Sequence, residues 1–177
     1  MAYIETRDRP RDGRRADRLC EALQHMRVRA AGGEPLTMSL LAQCQQIVLG
    51  LDAAPAFRTR DAYAKAGRER YSAGPEVARH FDRCLEEANG AAPAAVARAT
   101  RVYLDVCFFH PFEDGNARAA RLALDHVLTC AGLRLTVADP IFGFSRWADD
   151  ALDAMGLSWL IERLTRSVDT AAEGQAT

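Results

Sequence analysis

Lysine is almost absent from this chain: of 23 basic residues only Lys65 is a lysine, so 23 − 1 = 22 are arginine. Abundant alanine accompanies that bias, and the two together read as a codon-composition effect rather than as a device for binding phosphate. An excess of either charge is missing too. A formal net charge of −1 gives no bulk drive toward nucleic acid or an anionic membrane. No apolar run approaches the ~18 residues that a membrane span needs. The first residues, Met1-Ala2-Tyr3-Ile4-Glu5-Thr6-Arg7-Asp8-Arg9-Pro10, are too polar for a signal peptide. No C-x-x-C pair occurs among Cys20, Cys44, Cys84, Cys107 and Cys130, and each falls in an apolar helical pattern. They read as reduced core residues, which excludes a disulfide scaffold and argues against zinc. The expectation is a cytoplasmic protein with neither a nucleic-acid nor a membrane partner.

What is present is helical periodicity. With 177 residues and 49% hydrophobic composition, the chain suits one domain with a sizeable core. Residues 1–15 are charged and aperiodic and read as a flexible arm. Residues 16–169 read as the domain, and residues 170–177 as a flexible tail. Leu19, Leu23, Met26 and Ala30 mark the first helix. Leu40, Leu41, Cys44, Ile47, Val48 and Leu51 mark the second, with Gln43, Gln45 and Gln46 turned mostly outward. Thr37 is its N-cap candidate and Gly50 its stop. Pro75 suits the first position of a helix carrying Val77, Phe81, Cys84, Leu85 and Ala88. Val102 to Phe109 is apolar nearly all round, as a central buried helix would be. Two short helices close the pattern, about 145–155 and 158–169. Between the second and third helices, residues 57–71 set aromatics among charges and admit either a short β-hairpin or an ordered loop. The fold class is therefore all-α, a compact domain of six to seven helices with at most one small hairpin.

The chemistry concentrates in His110-Pro111-Phe112-Glu113-Asp114-Gly115-Asn116-Ala117-Arg118-Ala119-Ala120-Arg121. A helix stops at Pro111 and a new helical pattern begins at Asn116. A loop rich in backbone N–H groups that leads into a helix N-terminus is a natural anion site. His110, at a helix end, can turn its ring to a cleft and take a proton from a hydroxyl. Phe112 reads as a core anchor and Glu113 as solvated. Gly115 allows close backbone approach, and Asn116 can cap the next helix while touching phosphate. Arg118 and Arg121, three apart, share a helical face near its N-terminus. His25, His80 and His126 have no evident partners and are assigned no role.

This run resembles the signature of the Fic (Fic/Doc) family, H-P-F-x-[DE]-G-N-G-R-x-x-R, and Ala117 is its departure. The helix pattern agrees over about residues 36–135. The resemblance implies a small all-α Fic core in which 57–71 is a β-hairpin flap that aligns the target, with Phe57, Arg58, Arg68 and Arg70 as its positioning residues. It implies Mg²⁺-dependent transfer of AMP from ATP, or of a related phosphate-bearing group from another nucleotide, to a hydroxyl of a target protein or small molecule. A Doc-like phosphotransferase and a non-catalytic nucleotide- or partner-binding module are the alternatives. In this frame His110 is the base and Asp114 the metal carboxylate. Gly115, Asn116 and Ala117 line the phosphates, Arg118 meets the leaving pyrophosphate, and Arg121 supports or makes a second phosphate contact. If residue 117 has a helical φ, alanine there costs little; if φ is positive, it strains or reshapes the loop. The resemblance also implies inhibition, by a separate inhibitor or antitoxin or by an internal [ST]-x-x-x-E-[GN] helix. Ser158 to Glu162 fits that pattern until Arg163 breaks it, which offers Glu162 as the inhibitory glutamate.

Overall fold

The structure is a computed structural model that describes residues 1–64, 66–143 and 151–168. Eight helical elements dominate the described residues. A π-helical turn, Ile4–Asp8, leads into α1 (Gly13–Ala31) and α2 (Met38–Leu49). The hairpin β1 (Ala62–Ala64) and β2 (Glu69–Tyr71) follows, then α3 (Pro75–Ala88), α4 (Ala95–Phe109) and α5 (Asn116–Cys130). Strand β3 (Leu133–Leu135), the short α6 (Asp139–Phe142), α7 (Ala151–Leu164) and β4 (Thr165–Ser167) complete the order. No helix among the described residues is long and apolar enough to cross a membrane.

The helix ends follow local chemistry. Asp12 accepts from the Arg15 N–H and Thr37 from the Leu40 N–H, each at an N-cap. Gly50 ends α2 in the left-handed region at φ 65, which alanine would occupy under strain. Pro75 opens α3, where its missing N–H leaves nothing unsatisfied.

Helix α5 forms the centre, meeting α1, α2 and α4. Its Ala119, Ala120 and Ala123 are fully buried, so neighbouring helices approach closely, and Leu122, Leu124, Val127 and Leu128 fill the space between. The second half of α4, expected as the central element, is instead a helix with one wet side: Val102 and Val106 are buried while Phe108 is 54% exposed. It packs on α5, α3 and α7.

Strand β1 pairs antiparallel with β2 in the register Ala62↔Tyr71, Tyr63↔Arg70, Ala64↔Glu69. Ala66 at φ 58 and Gly67 at φ 84 supply the left-handed backbone that tight hairpin turns use. Lys65 lies outside the described residues. A second antiparallel pair, β3 with β4, was not expected; Leu133 and Leu135 pack against the core from a strand of only three residues, too short for periodicity to reveal.

Other expectations need correction. Residues 1–15 are not a free arm: the π-helical turn packs on the domain with Ile4 only 6% exposed. One buried isoleucine and a set of ion pairs hold it, and neither produces a periodic signal. Helix α7 runs through the break expected near residue 156, while residues 145–150 of the expected helix and the tail 170–177 lie outside the described residues. All five cysteines are free, yet only Cys44 is buried and Cys130 is exposed at the end of α5.

Candidate active site

The motif loop spans the gap between the end of α4 and the start of α5. His110 caps α4 in the left-handed region, φ 47 and ψ 59, an uncommon conformation for a residue with a side chain. That turn points the imidazole back at its own helix, where Nδ1 lies 2.7 Å from the Cys107 carbonyl. A carbonyl only accepts, so Nδ1 carries the proton and Nε2 is left as the basic nitrogen. Burial pushes the imidazole below its ordinary pKa. The bond to the Cys107 carbonyl opposes this, the nearby Arg58 charge adds to it, and Glu69 opposes it. The ring is therefore neutral at physiological pH, as a proton acceptor must be.

Arg58 holds this geometry. It is 4% exposed, and its guanidinium donates to the carbonyls of His110 (2.6 Å), Phe109 (3.1 Å), Ser72 (2.8 Å) and Arg60 (2.5 Å). Its backbone N–H donates to the Pro111 carbonyl at 2.9 Å. One side chain thus ties the flap to the open carbonyl end of α4. Phe57 packs on Phe81 of α3, ring centroids 5.9 Å apart. Phe57 and Arg58 anchor the flap from beneath; of the residues assigned to it, Arg68 and Arg70 are on its exposed side. Arg70 is paired with Asp61 at 2.6 Å, so the lip carries less unbalanced charge than its sequence suggests.

At the loop's floor, Asn116 is 5% exposed and uses its whole amide on Phe112: Oδ1 accepts from the Phe112 N–H at 2.9 Å and Nδ2 donates to the Phe112 carbonyl at 2.7 Å. It staples the loop. The side chain expected to cap α5 is turned onto Phe112 and makes no cap bond, which leaves the first backbone N–H groups of α5 without that partner. Phe112 is itself buried, an anchor as the sequence suggests. Gly115 has φ 80, and a Cβ there would run into Gln45 and crowd Arg118. Gln45, expected to face outward, is fully buried and donates from Nε2 to the Asp114 carbonyl. The signal was present: Gln45 lies four residues after Leu41 and three before Val48, on their face. Ala117 is the second residue of α5 and has no positive φ, so its methyl group causes no backbone strain and points to solvent.

Asp114 is exposed at the loop's mouth. Its Oδ1 accepts from the Gly115 N–H at 2.6 Å and its Oδ2 lies 3.6 Å from Arg118. Among the described residues no group of three or more His, Cys, Asp or Glu side chains is placed to hold a metal. One hard carboxylate beside an anion loop suits Mg²⁺, which takes its remaining ligands from water and phosphate.

The two arginines are in different states. The Arg118 side chain is 13% exposed, and its Nη1 is buried with no hydrogen-bond partner among the described residues. Arg121 is engaged: its Nη1 meets Asp8 Oδ2 at 3.0 Å, its Nη2 lies 3.4 Å from the Tyr3 hydroxyl, and its guanidinium lies against both the Tyr3 ring (4.6 Å) and the Phe142 ring (5.0 Å), which pack edge-to-face on each other. Beside it is a cavity of about 150 Å³ walled by Tyr3, Ile4, Leu122, Val137 and Phe142. Glu162, offered by the resemblance as the inhibitory glutamate, is exposed on α7; the carboxylate on Arg121 is Asp8, more than 100 residues away along the chain. No sequence pattern pointed to Asp8.

An imidazole, a carboxylate and two arginines thus gather on one loop and helix start of a helical domain. The Fic/DOC family model matches residues 27–128, more than half of the chain, and the chain belongs to that family. Among solved structures it is similar to a Fic-domain-containing signalling protein from Bacteroides thetaiotaomicron, at 23% identity and a TM-score of 0.65, covering 85% of this chain and 68% of that one. It is similar also to the N-terminal Fic domain of a VirB-translocated Bep effector from Bartonella quintana with bound ADP, at 17% identity and a TM-score of 0.56, covering 87% of each chain. A third is BepC from Bartonella tribocorum with bound AMPPNP, at 17% identity and a TM-score of 0.54, covering 86% of this chain and 88% of that one. These likenesses concern the fold. A search of curated proteins finds no match.

Proposed function

We propose that this protein transfers AMP, or a related phosphate-bearing group, from a nucleotide such as ATP to a hydroxyl of a target protein or small molecule. The observation that carries the reading is a complementary pair on one loop and helix start: a neutral imidazole whose Nε2 is its accepting nitrogen, and a guanidinium whose buried Nη1 has no partner among the described residues. The acceptor hydroxyl gives its proton to His110 Nε2 as its oxygen bonds to the α-phosphorus. The bond from that phosphorus to the bridging oxygen breaks, and pyrophosphate leaves. Arg118 steadies the charge of the leaving group, with Arg121 as a second contact, and the backbone N–H groups of Asn116 and Ala117 hold phosphate oxygens at the start of α5. Gly115 lets the donor approach the backbone. Mg²⁺, held by Asp114 and the donor phosphates, would offset phosphate charge and polarise the phosphoryl group.

The flap residues Arg68 and Arg70 line the approach of the acceptor, and Phe57 and Arg58 fix where that approach lies. Incubating the protein with Mg-ATP and a panel of hydroxyl acceptors, with mass detection of modified products, tests the reading. Pyrophosphate release with a gain of AMP supports it. Release of ADP identifies a Doc-like phosphotransferase, and nucleotide binding without turnover identifies a binding module.

A further inference from the structure

His110 has a second neighbour that the motif does not contain. The phenol ring of Tyr71, at the end of β2, stacks on the imidazole with centroids 4.0 Å apart and planes 19° from parallel. The Tyr71 hydroxyl donates to Glu69 Oε2 at 2.7 Å, within the same strand. Tyr71 is also the residue that pairs with Ala62 at the base of the hairpin, so its ring position is fixed by the flap's register.

An imidazole on a helix cap has two torsions to settle. The Cys107 carbonyl decides which edge turns inward, because it accepts from Nδ1. It does not fix the ring plane, since a hydrogen bond tolerates wide rotation about its axis. The aromatic face of Tyr71 supplies that second restraint. We propose that Tyr71, held by Glu69, is the positioning residue for His110: the flap strand sets the plane of the base, so that Nε2 faces one direction only. The inference rests on His110 acting as the base. It makes the flap more than a surface for the acceptor, because the same strand that would pair with an incoming chain lies directly on the catalytic ring.

Tyr71 also affects protonation by covering the ring. The titratable and charged groups near His110 are Arg58, Glu69, Tyr71 and the Cys107 thiol one helical turn below. Burial pushes both the phenol and the thiol upward, so each stays neutral at physiological pH. Removing the phenol admits water to the imidazole, weakens the burial that depresses its pKa, and moves it up toward its ordinary value.

The test reads the full-length protein without nucleotide, by ¹⁵N spectroscopy of the His110 ring nitrogens across pH. The wild type is expected to show a single Nδ1–H tautomer. Tyr71→Phe keeps the stack and should keep that signature. Tyr71→Leu, which fills similar space without an aromatic face, should keep the Nδ1–H tautomer that Cys107 sets but broaden the ring signals as the plane rotates, and raise the pKa. Tyr71→Ser serves as an independent variant, and thermal unfolding confirms that each is folded. In the transfer assay Tyr71→Leu should lose about 10-fold in kcat with the KM for Mg-ATP unchanged, as misorientation of a base predicts, and Tyr71→Phe should restore most of it. Unbroadened ring signals and an unchanged pKa in folded Tyr71→Leu or Tyr71→Ser overturn the inference. A wild type that transfers nothing overturns the proposed function instead, and the spectroscopic result still decides what Tyr71 does.

Discussion

The two ends of the motif are each covered by a segment from elsewhere in the chain, and the coverings do opposite things. At the His110 end the flap restrains the residue without using its reactive atom. Arg58 binds backbone carbonyls, Tyr71 covers a ring face, and Nε2 stays free. At the Arg121 end the amino-terminal turn binds the functional group itself. Asp8 pairs with the guanidinium and two rings lie against it, with the Arg121 and Asp8 side chains only 17% and 20% exposed. On the proposed function, one restraint prepares the base and the other occupies a group that would meet phosphate. Arg118, between them, meets only Asp114 of its own loop at 3.6 Å, and its buried Nη1 has no partner among the described residues.

Removing the prepared group should have the largest effect. His110→Ala is expected to lower transfer by about 10²–10⁴-fold while calorimetric nucleotide binding stays near wild type. The pH profile sharpens the point. Because the folded pKa of His110 lies below the ordinary histidine value, the base is neutral down to that pKa, and activity should fall only as pH drops through it. A rate that is flat through that limb removes His110 as the base. Next in size is Arg118→Ala, which deletes the unpaired donor. A charge-assisted bond is worth roughly 1.5–3 kcal/mol, and ATP should lose that much affinity while AMP loses much less. Equal losses on calorimetry would remove Arg118 from the distal phosphates.

Asp114→Asn should raise the Mg²⁺ concentration needed for half-maximal activity and leave the fold intact, since the side chain is 62% exposed. A Mg²⁺ titration that does not move would make Asp114 a loop residue only. Asp8→Ala tests the competing end and carries the opposite sign. It should cost about 1 kcal/mol of thermal stability yet tighten ATP binding, because Arg121 is released. Weaker ATP binding in the folded variant would show that Asp8 orients Arg121 rather than occupying it. The smallest effect is expected from replacing Arg68 and Arg70 by Ser. Since Arg70 already pairs with Asp61, only a few-fold rise in acceptor KM is expected, fading as salt is added. Identical acceptor kinetics at low salt would remove flap charge from recognition.

What was legible in the sequence is what is local in sequence. The motif is contiguous, so the loop and the helix spacing put His110, Asp114, Arg118 and Arg121 near one another without any knowledge of the fold. Helix stripes, the Thr37 cap and the Pro75 start are likewise written within a few residues. The missed features join distant segments. Arg58 meets residues 51 and 52 places on, and Arg121 meets Asp8 across 113 places. Neither contact leaves a periodic trace, because each depends on how whole helices pack. Gln45 was missed for another reason: its polarity outweighed its position in a stripe that already predicted burial.

The scarcity of lysine, a compositional habit over most of this surface, is a structural requirement at position 58. Four backbone carbonyls from two separate segments converge on that one guanidinium. An ammonium has three donors radiating from a single atom and cannot span carbonyls that approach from both ends of a planar fork. Arg58→Lys would keep the charge and still release the flap from α4. At this site the two basic residues are not interchangeable, and a chain written almost entirely in one of them tolerates that constraint at no compositional cost.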